Sequence, residues 1–467
     1  MQLSSIHFLF LFLPIALILY FLLPFQRWRN LILLGVSLAF YAWGYPAYLL
    51  LLLGVILINW GLALGIGTCR AGQKAGWAKA VMIFGIIANL ALLAFYKYTG
   101  FITANLGVTW NLTPKTLPLG ISFFTFSAVS YLVDIYNEIT PPSRNLIHFA
   151  LYVALFPKIL QGPITRYEQV ESDLAQRETT LEDLADGSRR FIIGLAKKIL
   201  IADQMAVIAN SVFGVKFNLL GMDLAWYGLI AYTLQIYFDF SGYTDMAIGL
   251  GRIFGFHLPE NFNYPYISRS ISDFWRRWHM TLTAWFRSYV FYPLEFARKR
   301  EKFLRQQSNL FIVFILTGLW HGASWNFVIW GGYFGLILAL EASFLGKRLK
   351  KLPVFLQHFY SLLLIVLGWA FFRVENVGQW GAFFKALVGL NGWTGLENAR
   401  TLNVLLFYPL MLVAIVGCTP LVDRLSQKLQ TSQWGLAAAR LVFLALFLLS
   451  VAFILTNGYQ PLLYAQF

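Results

Sequence analysis

Apolar runs of about 20 residues, the length that crosses the hydrocarbon core of a bilayer, recur from one end of this 467-residue sequence to the other. In lipid, every backbone N–H and C=O must be satisfied by the protein, so only helices and closed barrels span. Long runs without strict alternation mean helices. Composition agrees: 58% of residues are hydrophobic and 12% charged, where soluble domains carry about a quarter charged. The chain therefore reads as an all-α, polytopic membrane protein, a single integral-membrane domain over 1–467.

Predicted spans run over 7–24, 31–43, 47–68, 80–97, 117–136, 191–213, 223–254, 308–321, 326–346, 354–372, 403–419 and 437–457. The first, covering Phe8 to Leu23, has no lysine or arginine before it and no small-residue cleavage site after it, so it reads as a retained span. The shorter segment 147–162 contains Phe156-Pro157 and Gly162-Pro163, which would break a straight span. Were it to cross, it would carry the charged stretch Arg166–Arg190 with it. It reads as re-entrant or interfacial, and Arg166–Arg190 as a surface helix.

Basic residues fall in alternate loops: Arg27, Arg29, Arg70, Lys74 and Lys79, then Arg298, Lys299, Arg300, Lys302 and Arg305, then Lys347, Arg348, Lys350 and Lys351. The positive-inside rule makes these cytosolic and puts the N-terminus outside, in a cell (inner or plasma) membrane. The same topology accounts for the net charge of +15, so it does not imply nucleic acid. Cys69 and Cys418 lie in widely separated segments, and no HxxH, HExxH or CxxC spacing appears, so neither a disulfide framework nor a metal site is expected. There is no Walker loop, no dinucleotide glycine fingerprint and no GxSxG elbow.

An ionisable side chain in such a chain is costly and needs a reason. His321 ends the apolar run Leu310–Trp320 and is followed by Gly322-Ala323-Ser324. Neutral imidazole can accept a proton from a hydroxyl near pH 7; the plainer alternative is a histidine that only bonds a neighbouring helix. His279 lies in the amphipathic segment 257–307. There Ser270 or Ser272 is placed to cap a helix with Asp273 in its first turn. On that helix Trp275, Trp278, Leu282 and Trp285 share one side, facing lipid headgroups or a tunnel wall, and Arg276, His279 and Thr283 share another. Arg276 and Arg277 suit phosphate oxygens, or simply anionic lipid. Asp239 and Asp245 interrupt another apolar run; each either lines a polar cavity or pairs with an arginine such as Arg276 or Arg277.

Taken together, these residues resemble the membrane-bound O-acyltransferase (MBOAT) family. The similarity rests on Leu117–Phe124 with Tyr131–Tyr136, on Phe156-Pro157 with Gly162-Pro163-Ile164, and on Tyr237–Asp245. It continues through Glu260–Asn263, Trp275–Leu282, Leu319-Trp320-His321-Gly322 and the ending Leu463–Phe467, in family order. The resemblance is to the bacterial branch that acetylates exported polysaccharide such as alginate, with the branch that moves D-alanine to teichoic acid as the second choice.

The resemblance implies a ring of about 11–13 tilted helices, with re-entrant or interfacial pieces, around a central tunnel. It implies His321 and His279 as catalytic residues. Arg276, Arg277, Trp278, Trp320, Asp239, Asp245 and Asn261 are the expected substrate-binding set. The expected donor is cytosolic acetyl-CoA, with no bound cofactor. The acceptor is a hydroxyl of an exported polysaccharide, or of an extracytoplasmic partner protein that passes the acyl group on. Two positions depart from the polysaccharide-directed pattern. Phe334 stands where many members carry a second histidine, and Pro293-Leu294-Glu295-Phe296 replaces a Leu-Gly-Gly-Asn turn. From a different class, a proton-coupled transporter or flippase would also place His279, His321, Asp239 and Asp245 in a membrane.

Overall fold

The computed structural model describes residues 1–44, 46–108, 114, 116–298, 304–394 and 407–457. Lys299, Arg300 and Lys302 of the basic loop, the start of the predicted span 403–419, and the ending Leu463–Phe467 lie outside the described residues. Among the described residues there are helices and no strand.

Among the described residues, five helices are long and apolar enough to cross a membrane: Ala47–Ala71, Ala75–Leu106, Trp325–Leu349, Val354–Arg373 and Gln433–Thr456. Tyr408–Gly417 and Leu421–Leu429, which meet at 76°, make a sixth if they form one bent span. Some of the other predicted spans are helical but short, such as Phe8–Phe21 and Ile121–Tyr136, whereas Met222–Ile253 has 32 residues. The 17-residue helix Arg305–His321 rises only about 26 Å, less than a typical hydrocarbon core.

The described chain divides into two compact units: Met1–Ile192 with Tyr243–Glu260, and Ile193–Gly242 with Asn261–Phe467. In the first, Asn59 and Asn89 exchange side-chain hydrogen bonds at 3.1 and 2.7 Å between two long apolar helices. Such a pair satisfies two amides that lipid could not. In the same unit Phe8, Phe12, Phe40 and Phe156 pack ring to ring.

The expected re-entrant segment is two buried pieces, Leu146–Ala154 and Phe156–Ile159, broken at Leu155. Nine helical residues rise about 14 Å, too little to cross. The helix starts under Asn145, whose side chain accepts from Ile147 N–H at 2.9 Å, and the Leu155 break is covered by Ser37 Oγ, which accepts from Phe156 N–H at 3.1 Å. Irregular backbone at this depth is tolerated because protein surrounds it. The predicted surface helix is in fact a turn, Tyr167–Gln169, a short helix, Glu171–Ala175, and a longer one, Leu181–Ala196.

In the second unit, Arg305–His321 and Trp325–Leu340 form a tight antiparallel pair. A Cβ at Gly318 would lie 2.2 Å from the Phe327 carbonyl oxygen, so only glycine permits that approach.

One expectation fails here. The helix predicted through Trp275–Trp285 is two helices, Ile271–Trp275 and Met280–Phe286, separated by a turn in which His279 has φ +43°. Backbone bonding causes the break: Asn261 O accepts from Met280 N–H, and Arg277 O accepts from Asn263 N–H, both at 2.9 Å. Those groups cannot then serve one continuous helix. Trp275, Trp278, Leu282 and Trp285 are all buried in protein, so they do not face lipid headgroups.

Candidate active site

His321 is the last residue of its helix and is 2% exposed. Its imidazole is met edge-on by Trp320 at 4.9 Å, Trp330 at 5.0 Å and Phe372 at 5.5 Å between centroids. Gly322 follows because a Cβ there would lie 2.1 Å from the ring of Phe327. His279 is fully buried, with Phe240 edge-on at 4.7 Å and Trp320 at 5.9 Å. Trp320 therefore packs against both histidines, which lie 42 positions apart in the sequence. A left-handed backbone costs a non-glycine residue about 1–2 kcal/mol. Strain of that kind persists where surrounding contacts over-determine it, often at functional sites.

Around the histidines lies an aromatic enclosure. Trp278 packs on Trp369 at 4.9 Å and Phe274 at 5.5 Å, and Trp275 meets Trp330 at 5.7 Å. Phe334, at the family's second-histidine position, is fully buried against Trp275 and Trp330, both at 5.3 Å. The indole N–H groups of Trp275, Trp278, Trp330 and Trp369 are buried with no hydrogen-bond partner among the described residues. Each such donor costs about 1–3 kcal/mol when left unmade, so the enclosure offers hydrogen bonds as well as apolar walls.

The segment carrying His279 is held at its start by Glu341. Its carboxylate accepts from the N–H groups of Ile271 and Ser272 at 2.8 Å, from Ser272 Oγ at 2.6 Å and from Tyr360 Oη at 3.1 Å. Ser270 is the actual cap, accepting from Asp273 N–H at 3.0 Å. Tyr266 Oη donates to Thr233 O at 2.7 Å and ties the preceding turn to the helix that carries Phe240.

The remaining expected residues divide. Asn261 bonds directly to His279, with 3.1 Å between Oδ1 and Nδ1. Asp239 is buried and paired with Lys198, which also meets Asp203 at 2.8 Å. Asp245 belongs to the first unit, where Arg190 donates to it at 2.9 Å and also pairs with Glu260. Neither aspartate pairs with Arg276 or Arg277. Those arginines meet Asp273 instead, at 3.5 and 3.2 Å, and Arg276 remains 63% exposed. Sequence reasoning missed Lys198, Arg190 and Glu341. Lys198 was findable, because the lysine pair Lys197-Lys198 inside an apolar run invites the same question as Asp239. Among the described residues, no group of three His, Cys, Asp or Glu side chains is arranged to hold a metal ion.

Comparison with known proteins decides the family. The pattern of the membrane-bound O-acyltransferase family matches residues 137–366. A Pseudomonas putida protein named probable alginate O-acetylase AlgI is 38% identical over 499 aligned positions, covering all of both chains. This chain belongs to the membrane-bound O-acyltransferase family. It is a multi-pass membrane acyltransferase. Two other relatives carry different names. A Helicobacter pylori peptidoglycan O-acetyltransferase is 36% identical over 82% of this chain and 79% of its own length. A Bacillus subtilis teichoic acid D-alanyltransferase is 35% identical over 54% of this chain and 66% of its own. MBOAT membership favours the acyltransferase reading over the transporter one.

Proposed function

We propose that this chain, acting as one catalytic domain, moves an acetyl group from cytosolic acetyl-CoA to a hydroxyl of an exported polysaccharide, or of an extracytoplasmic partner protein that completes transfer. The observation that carries this reading is the pair of buried histidines sharing Trp320 inside an aromatic enclosure. His321 serves as the general base. The acceptor oxygen attacks the thioester carbonyl as its proton passes to His321; the C–S bond then breaks, and the thiolate recovers the proton from the imidazolium. Neutral imidazole is available near pH 7 to take the proton, and the imidazolium it becomes is the acid that returns it. The aromatic walls exclude water that would otherwise hydrolyse the thioester. Unpaired indole N–H groups are available to the carbonyl oxygen as charge develops on it.

Arg276 is the group for the donor's phosphates, since it is exposed and guanidinium binds phosphate in bidentate fashion. Asp239 and Asp245 act structurally in this account, because each is already held by a cation. The site lies in a cell membrane with the N-terminus outside, in keeping with the distribution of basic loops. The similarity to two polymer O-acetylating relatives over most of the chain supports acetyl transfer. D-alanyl transfer is the second reading, supported by the shorter match to the teichoic acid enzyme. The test is purified protein with radiolabelled acetyl-CoA and alginate or peptidoglycan fragments, wild type against His321→Ala. Label on polymer from wild type alone supports the reading; equal label from both removes His321 from the chemistry.

A further inference from the structure

The side-chain oxygen of Asn261 accepts three hydrogen bonds: from Thr281 N–H at 3.2 Å, from Thr281 Oγ1 at 2.9 Å, and across 3.1 Å from Nδ1 of His279. The first settles which end of the amide points there. A backbone N–H can only donate, so the atom facing it is oxygen and not nitrogen. With an oxygen opposite, the 3.1 Å contact is a hydrogen bond only if Nδ1 carries the hydrogen. In the neutral ring the lone pair then resides on Nε2. Nε2 is buried, with no hydrogen-bond partner among the described residues. The left-handed turn at His279 is pinned on both sides, since Met280 N–H donates to the Asn261 carbonyl and Thr283 N–H to the His279 carbonyl.

We propose that Asn261, itself locked by Thr281, is a positioning residue that fixes His279 as the Nδ1–H tautomer and so presents Nε2 to the substrate as a neutral hydrogen-bond acceptor. The ligand class is an O–H or N–H donor of the acyl donor or acceptor, and His279 does not act as a cation. This rests on the acyl-transfer reading above. Burial alone disfavours a second proton on the ring, holding its pKa well below the ordinary histidine range. The groups packed against it are Phe240, Trp320 and, beyond Trp320, His321. Asp239, next to Phe240 in sequence, is held by Lys198. The amide nitrogen of Asn261 has no partner among the described residues, so Asn261→Asp deletes no hydrogen bond. It does put a carboxylate on Nδ1–H, which raises the pKa of His279 and, below that pKa, covers Nε2 with a proton.

Two readouts test this. The first is side-chain 15N NMR of histidine-labelled wild type, which reads the tautomer whether or not the protein transfers any label. A protonated Nδ1 with a bare Nε2 is expected; hydrogen on Nε2 instead overturns the proposal. The second is label transfer against pH. Asn261→Ala should lower kcat by about 10- to 100-fold, the usual scale for losing a partner that orients a functional histidine. Asn261→Asp should recover much of the rate at high pH and lose it on an acid limb that wild type lacks. A purely structural role for Asn261 would give Asn261→Asp the wild-type pH profile, and that profile overturns the proposal. If wild type itself transfers no label, the acyl-transfer reading fails while the NMR result still decides the tautomer.

Discussion

The ion-paired cluster of the first unit and the aromatic site of the second handle polarity in opposite ways. In the first, charge is matched with charge. Arg190 sits between Asp245 and Glu260, and Arg252 between Asp183 and Asp186. In the site of the second, four indole N–H groups and Nε2 of His279 lie buried among aromatic rings without partners among the described residues. Paired groups hold a structure together and have little left to offer a substrate. Unpaired ones cost stability, and a fold retains that cost where function uses the group.

That contrast predicts opposite consequences for mutation. The largest effect falls in the site. His321→Ala should lower acyl transfer by about 10²–10⁴-fold, the range a general base contributes, with little change in detergent unfolding. Next, Arg190→Met should leave acyl transfer near wild type while lowering unfolding stability by about 1–3 kcal/mol. This is less than for a fully buried pair, because the side chain is 30% exposed. Calorimetric or denaturant unfolding beside the transfer assay reads both. A large loss of activity with intact stability would break the comparison.

Trp330→Phe keeps a ring and deletes one unpaired N–H. A drop in kcat of about tenfold or more, with unfolding moved by less than about 1.5 kcal/mol, would sharpen it. An unchanged kcat would mean that this donor is not used.

The smallest effect is at Asp183. The Thr180 hydroxyl and amide, and then Arg252, hold its carboxyl down to about 2. A depressed carboxyl contributes stability above its unfolded pKa of about 4. That contribution should fade as pH falls from about 4 toward 2, and Asp183→Asn should flatten the acid side of the unfolding profile over that window.

Much of this was legible in the sequence, for physical reasons. Lipid forces helices, so the spans and the broken segment at Phe156-Pro157 could be read from apolar length and proline alone. Trp320-His321-Gly322 was visible because a histidine closing an apolar run is expensive. What could not be read was pairing at long range. Asp239 and Asp245 were equally plausible partners for Arg276 and Arg277 until folding gave them Lys198 and Arg190. The turn at His279 was hidden as well. Its side-chain spacing is that of a helix, and only the bonds from residues 277 and 280 to Asn263 and Asn261 break it. Glu341 was masked because its partners, Ile271 and Ser272, are about 70 positions away.

The central claim is that His321 carries the proton in acyl transfer. Chemical rescue tests it most directly: labelled acetyl-CoA, polymer acceptor, and His321→Ala protein titrated with free imidazole. The account predicts almost no transfer without imidazole, and transfer rising with the concentration of neutral imidazole while unfolding stays unchanged. Wild-type transfer by His321→Ala in the absence of imidazole would contradict it.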